Sequence, residues 1–323
     1  MKRLLGIVLV VLLFPKIQAA EISLQKTTTV RILDKTEAAK TLVTADAFTM
    51  RMSRFDRSAR MQTDRQVSEK ELLEFAAGQA ISFSDTQKQE LREVFGAIDK
   101  KIAGLKLKLM LPPVITVIQT TGKEEGGAAY CRGNSIILPK NVVEGGQEII
   151  QDYITHELFH ILTSQNPELR RELYAIVGFV PCKEVRLSDE LLSRKITNPD
   201  AFKNDFRIEI SLEGRSVSAI PILLSSSEKY DVKRGGTFFE YIEFKLLVIE
   251  EQKGEWVPKR EGGKAKLLNP LRTPGYMEKI GGNTEYVIHP EEVLADNFRL
   301  MLDQATGLPT PLIPEKMKEL LSK

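Results

Sequence analysis

The run His156-Glu157-Leu158-Phe159-His160 constrains this chain more than any other stretch. The chain has only three histidines in 323 residues, and two of them stand here, four apart; His289 is the third. Ile154, Leu158, Phe159, Ile161 and Leu162 predict a helix over about 147–163 held deep in a fold. That helix is entered through Gly145-Gly146 and closed before Asn166-Pro167. Positions i and i+4 lie one above the other on a helix face, so both imidazoles can reach one ion. Glu157 lies about 100° round from His156, beside that point and not on it. Such a placement suits a base acting on a metal-activated water. Buried histidines without such a task would need other polar partners.

A zinc site of this kind takes a third protein ligand and keeps a fourth position open. Thr163 and Asn166 occupy the places where a metzincin extension would carry Gly and His. The better source of a third ligand is Pro290-Glu291-Glu292-Val293-Leu294-Ala295-Asp296, where a periodic helix begins and runs to about Asp303. Glu292 and Asp296 share one face, and the small Ala295 lets this helix approach another closely. Glu292 would ligate the ion, while Asp296 accepts a hydrogen bond from a ligand histidine and fixes its tautomer. Glu291 is a rival for the ligand role. Two solvated acids in a first helical turn, favoured there by the dipole, are the plain alternative.

At these residues the chain resembles the gluzincins, zinc metallopeptidases that combine His-Glu-x-x-His with a later Glu-x-x-x-Asp helix. The resemblance implies an α+β zincin-like core, with helices on a small mixed sheet, and one Zn2+ per chain. It implies His156, His160 and Glu292 as ligands, Glu157 as general base and Asp296 as the residue orienting a ligand. Glu292 follows His160 by 132 residues, a longer gap than in thermolysin-like members. Zincins pair the extended substrate with an edge strand, a task open here to residues 128–132 or 135–138. Gluzincins often supply a Tyr or His to the oxyanion, and Tyr286 and His289 stand just before the second helix. The expected activity is hydrolysis of peptide bonds in a peptide or protein. The alternatives are an inactive binding or adaptor protein on the same scaffold, or a zinc amidohydrolase acting on a cell-wall fragment.

Residues 1–20 read as a secretory signal peptide: Lys2-Arg3, an apolar run from Leu4 to Phe14, then Gln18-Ala19-Ala20. The run is short of the roughly 20 apolar residues that span a bilayer, so no stable membrane insertion is expected after cleavage. Cleavage removes three lysines and arginines with no acid, taking the net charge from +2 to −1. That balance argues against a nucleic-acid partner and predicts an exported protein, periplasmic or secreted. Export would place Cys131 and Cys182 in an oxidising compartment, where a bridge closing about fifty residues would add ~4 kcal/mol. Two small buried thiols are the other reading.

Residues 21–66 have no clear role; a pro-segment is one reading, and Val30–Leu33 reads as a short strand. Arg51, Arg54, Arg57 and Arg60 recur every three residues, as a solvated face or in internal ion pairs. A catalytic domain is expected over 67–323. Ser68 with Glu71 and Ser84 with Gln87 form capping boxes opening two helices, the second ending near Gly104. Strands are expected over 114–118, 128–132 and 135–138, with a further helix over 168–177. A β-rich insertion at about 206–268 follows, including a strand-like run from Phe238 to Ile249.

Overall fold

A computed structural model describes residues 22–323, so the proposed leader lies outside the described residues. The architecture is mixed α+β, with two larger sheets. The first sheet contains β1 (Ile22–Leu24), β2 (Thr28–Ile32), β3 (Ala80–Ile81), β4 (Val114–Thr120), β5 (Tyr130–Arg132) and β6 (Ser135–Pro139). Its order is β1-β2-β4-β6-β5, with β3 pairing the end of β4. β2, β4 and β6 run parallel, whereas β1 and β5 are antiparallel to their neighbours. The β-branched β4 is central and its inner residues are buried, as its composition predicts.

The second sheet is antiparallel, in the order β11-β10-β9-β8-β7. It comprises β7 (Phe179–Pro181), β8 (Phe206–Leu212), β9 (Arg215–Ser225), β10 (Ile242–Gln252) and β11 (Glu255–Pro258), with a two-residue strand over Leu267–Leu268 also pairing β10. The run from Phe238, strand-like but also readable as a helix, begins with a 3-10 turn over Phe238–Tyr241, entered where the Thr237 amide donates to Glu240, and continues as β10. This sheet shares a continuous core with the rest: Phe206, Ile208, Ala219 and Leu246 join Ile115, Ile136, Leu158 and Phe298.

The helices are α1 (Lys35–Leu42), α2 (Arg54–Arg60), α3 (Glu69–Gly78), α4 (Asp85–Gly104), α5 (Lys140–Val143) and α6 (Gln147–Gln165). They continue with α7 (Pro167–Ile176), α8 (Asp189–Arg194), α9 (Tyr276–Ile280), α10 (Pro290–Leu302) and α11 (Leu312–Leu321). Both predicted boxes form, at Ser68 for α3 and Ser84 for α4. β1 and β2 extend the central sheet through the parallel pairing of β2 with β4, because Val30 and Leu24 belong to the common core. Residues 22–66 thus pack into the same fold as the segments that follow. Of the arginine repeat, Arg60 turns inward, 3 % exposed and paired with Asp56 and Glu125, while Arg54 is exposed.

Candidate metal centre

α6 and α10 pack against each other and bring the centre together. Ile150, Ile154, Leu158 and Leu162 sink α6 into the core, which turns His156 and His160 towards α10. α6 ends where Pro167 starts α7, since a proline disfavours helix in the residue before it and suits a first helical turn. α10 opens with Pro290, and its first turn carries Glu291 and Glu292. Successive residues on a helix diverge by about 100°, and the two acids accordingly reach different sides of the histidine pair.

Glu292 Oε2 lies 3.1 Å from His156 Nε2 and 3.5 Å from His160 Nε2. The opposite nitrogens face carboxylates: His156 Nδ1 is 3.0 Å from Asp296 Oδ1, and His160 Nδ1 is 2.9 Å from Glu291 Oε1. Glu291 thus orients His160 and is turned away from the point where the ligand atoms meet. Thr163 donates to it at 2.5 Å, and the Tyr174 hydroxyl donates to its other oxygen. Thr284 donates to Asp296 in the same manner. Asn198 donates at 2.5 Å to Glu292 Oε1, the oxygen that does not face the histidines.

This donor set fits a cation. Carboxylates at both Nδ1 atoms place the neutral rings' protons there, leaving each Nε2 lone pair aimed at Glu292. A tetrahedral ion with bonds of about 2.0–2.1 Å separates its ligand atoms by about 3.3 Å, close to both spacings. The surroundings are acid-rich: Glu157, Asp200, Glu291, Glu292 and Asp296 border two imidazoles. Without a cation those acids act on the histidines. Burial opposes protonation of His156, yet its bonds to Asp296 and Glu292 outweigh burial and push its pKa up to about 9. Burial also opposes ionisation of Glu292, but the His160 charge and the histidine bonds hold its carboxyl well below the usual range.

Glu157 is buried beside this pair, and burial raises its carboxyl despite the neighbouring histidines. The Cys131 thiol lies 3.2 Å from Glu157 Oε2, a contact from β5 to α6 that no pattern in the sequence signals. The Cys131–Cys182 bridge is not formed. Both are free thiols, and Cys182 packs instead with the cluster around Val185 and Leu247 under the second sheet.

A cleft of about 460 Å³ opens over the centre, lined by Tyr153, His156, Glu157, Tyr286, Glu292 and Arg299 among others. The Tyr286 ring stacks on His156 with 6.2 Å between centroids. Desolvation, then the charges of Glu292, Asp200, Glu157 and Asp296, hold its phenol well above its ordinary pKa, so it stays a donor. His289 does not reach the cleft. It caps α10, its Nδ1 accepting from the Glu291 amide at 3.1 Å, and burial lowers its pKa to about 4. A larger hollow of about 660 Å³, between Arg54 and Tyr230, holds none of these ligands.

The open edge of the first sheet runs past the cleft. Of the two segments expected to pair with substrate, β6 is internal and β5 stands at an edge. The two-residue turn at Gly133-Asn134 makes Arg132–Ser135 and Tyr130–Ile137 the bonded pairs, leaving Cys131 and Ala129 facing outward. The Cys131 amide is already taken by Asp200 Oδ1 at 3.0 Å. Ala129 has no hydrogen bond to the rest of the chain among the described residues. Asn198 and Asp200 belong to an irregular crossing that sequence periodicity does not mark.

No family model matches the chain, and no curated protein or solved structure is found to be similar to it.

Proposed function

We propose that this chain is a zinc-dependent peptidase of the gluzincin kind, with a zincin-like core, acting on peptide bonds after export. The observation that carries the reading is the convergence of His156 Nε2, His160 Nε2 and Glu292 Oε2, with each opposite imidazole nitrogen held by its own carboxylate. Zinc bound there supplies Lewis acidity and makes water a competent nucleophile near neutral pH. Glu157 takes the proton of the attacking water and passes it to the leaving amine. Tyr286 donates its phenol to the oxyanion that forms on the scissile carbonyl. Asp296, Glu291 and Asn198 keep the three ligand side chains aimed, which lowers the reorganisation needed to bind the ion.

The substrate backbone adds at Ala129, where the edge is open. An exported protein of net charge −1 has no broad charged face to draw a polyanion, which leaves recognition to the cleft. Purified protein should contain about one equivalent of zinc, and Glu157→Gln should keep the metal and lose cleavage of a casein-type substrate. A protein that takes up no zinc, or cleaves equally well with that substitution, contradicts the reading. Peptidoglycan fragments in the same assay separate peptidase from cell-wall amidase.

A further inference from the structure

We propose that a side pocket off the metal cleft selects one leucine-sized apolar side chain, carried by the substrate residue that pairs with Ala129. This deepens the peptidase reading and rests on it for the identity of the substrate. The pocket measures about 130 Å³ and shares Ala128, Ala129, Asp200, Phe239 and Tyr286 with the cleft. Its walls are Ile196, Leu223, Phe238, Phe239, Ile242 and Ile288, drawn from the irregular crossing, the second sheet and the approach to α10.

Most of the polar groups at its border are already engaged. Glu125 is held by Arg60 through both oxygens, Thr197 donates to Asp56, Asn198 donates to Glu292, and Asp200 accepts from Cys131. An anionic substrate group entering there would lose its hydration beside the carboxylates of Asp200 and Glu125, whereas an apolar one gains by leaving water. Phe239 is 43 % exposed at the mouth, an aromatic surface with no partner on its outer side. Its ring lies against Gly126, where φ is +63° and a Cβ would come within 3.0 Å of the ring. That close approach sets the ring's position, and any larger residue at 126 would displace it.

Size and position make the choice specific. An apolar cavity of about 150 Å³ accommodates a benzene-sized group. The smaller volume here suits a branched aliphatic chain, holds a phenyl ring at its limit and excludes an indole. The position follows from the edge. Asp200 closes the strand at Cys131 and the Ala128 amide is spent on the Glu125 carbonyl, so substrate pairing is confined to Ala129, at the pocket mouth. Any side chain directed away from the solvent at that point faces the pocket.

The test uses the full zinc-loaded protein and quenched peptides that differ only at the residue flanking the cleaved bond. Leucine peptides should be cleaved with kcat/KM at least tenfold above alanine, aspartate and tryptophan peptides. Ala128→Leu, which narrows the mouth, should bring the leucine-to-alanine ratio down at least tenfold with zinc content unchanged. Ile242→Ala, which enlarges the pocket, should raise the tryptophan peptide relative to leucine, and covers the case in which the first variant fails to fold. A flat profile in the wild type, or a ratio that neither variant moves, overturns the pocket and leaves the peptidase standing. Titration with leucine and glycine hydroxamates supplies a readout without turnover. If no peptide is cleaved but the leucine compound binds at least tenfold tighter, the peptidase reading fails and the pocket holds. Equal binding of both compounds overturns the pocket.

Discussion

The helix pair α6–α10 and the crossing at residues 195–200 border the same cleft, yet they hold their functional side chains by different means. The helices are fixed by apolar faces: Leu158, Phe159, Val293 and Phe298 are buried in one core, so His156, His160 and Glu292 take their positions from packing. The crossing has no helix or strand of its own between α8 and β8. A polar anchor behind it does the same work. Arg60 on α2 donates to the Thr197 carbonyl, while Asp56 accepts from the Thr197 amide and hydroxyl. Arg60 also holds Glu125 on the far side, so one buried guanidinium ties α2, the 122–127 loop and the crossing together. Chemistry on regular elements is positioned by the core at large, whereas chemistry on an irregular segment depends on a few charges elsewhere.

The largest expected effect breaks the helical half. Glu157→Gln should lower kcat/KM by about 10²–10⁴-fold, the range for loss of a positioned general base, with zinc retained and the thermal midpoint little changed. A variant that retains full activity would contradict the reading of Glu157 as the base.

Breaking the anchor of the crossing should act on stability first. Arg60→Met removes one partner and strands Asp56 and Glu125 as buried acids, a change that costs about 3–5 kcal/mol. Urea unfolding should show that loss, accompanied by weaker zinc binding; unchanged stability would show that the crossing is held by other contacts.

Two adjacent acids sharpen the same comparison. Glu125 is paired, but both Glu124 oxygens lack a partner, and burial raises that carboxyl from 4.5 to about 7. The folded protein therefore binds this proton more tightly than the unfolded chain does. Stability from this group falls as pH rises from 4.5 to 7 and stays lost above that. Glu124→Gln, which mimics the protonated acid, should stabilise the protein above pH 7 by up to about 3 kcal/mol and have little effect below pH 4.5. Unfolding curves at pH 4 and pH 8 check it, and an equal shift at both would refute the buried-acid account.

The smallest effect separates positioning from ligation. Asn198→Ala should weaken zinc binding by about 10–100-fold without abolishing it, as loss of a partner to a ligand does. Competition with a chromogenic chelator measures this. An affinity equal to wild type would make the Asn198–Glu292 bond incidental.

The two halves also differ in how far they could be read from sequence. His156 and His160 declare themselves because a four-residue spacing means one helix face, and Glu292 with Asp296 repeats that logic. The bonds from Asp296 and Glu291 to the two histidines were half foreseen. Glu291 stood as a rival ligand, but adjacency on α10 sends it round to His160 Nδ1. His289 misleads for a physical reason: it lies just before the helix, but its backbone at φ −161° makes it a cap, with the ring turned under Tyr174. The strands β4, β6 and β8 were visible through β-branched runs or alternation, whereas the integration of residues 22–60 was not, because parallel pairing leaves no local trace. Asn198, Asp200, Cys131 and the pocket walls answer to no periodicity, since their neighbours come from distant parts of the chain. The Gly126-Gly127 pair before Ala128 was the nearest hint that something approaches closely there.

The most direct test of the metal centre is anomalous scattering from crystals of the purified protein, collected on both sides of the zinc edge. The account predicts one strong peak per chain, bounded by His156 Nε2, His160 Nε2 and Glu292 Oε2, which disappears in a His160→Ala variant. Crystals grown with zinc that show no peak there, or a peak ligated by other residues, would contradict it.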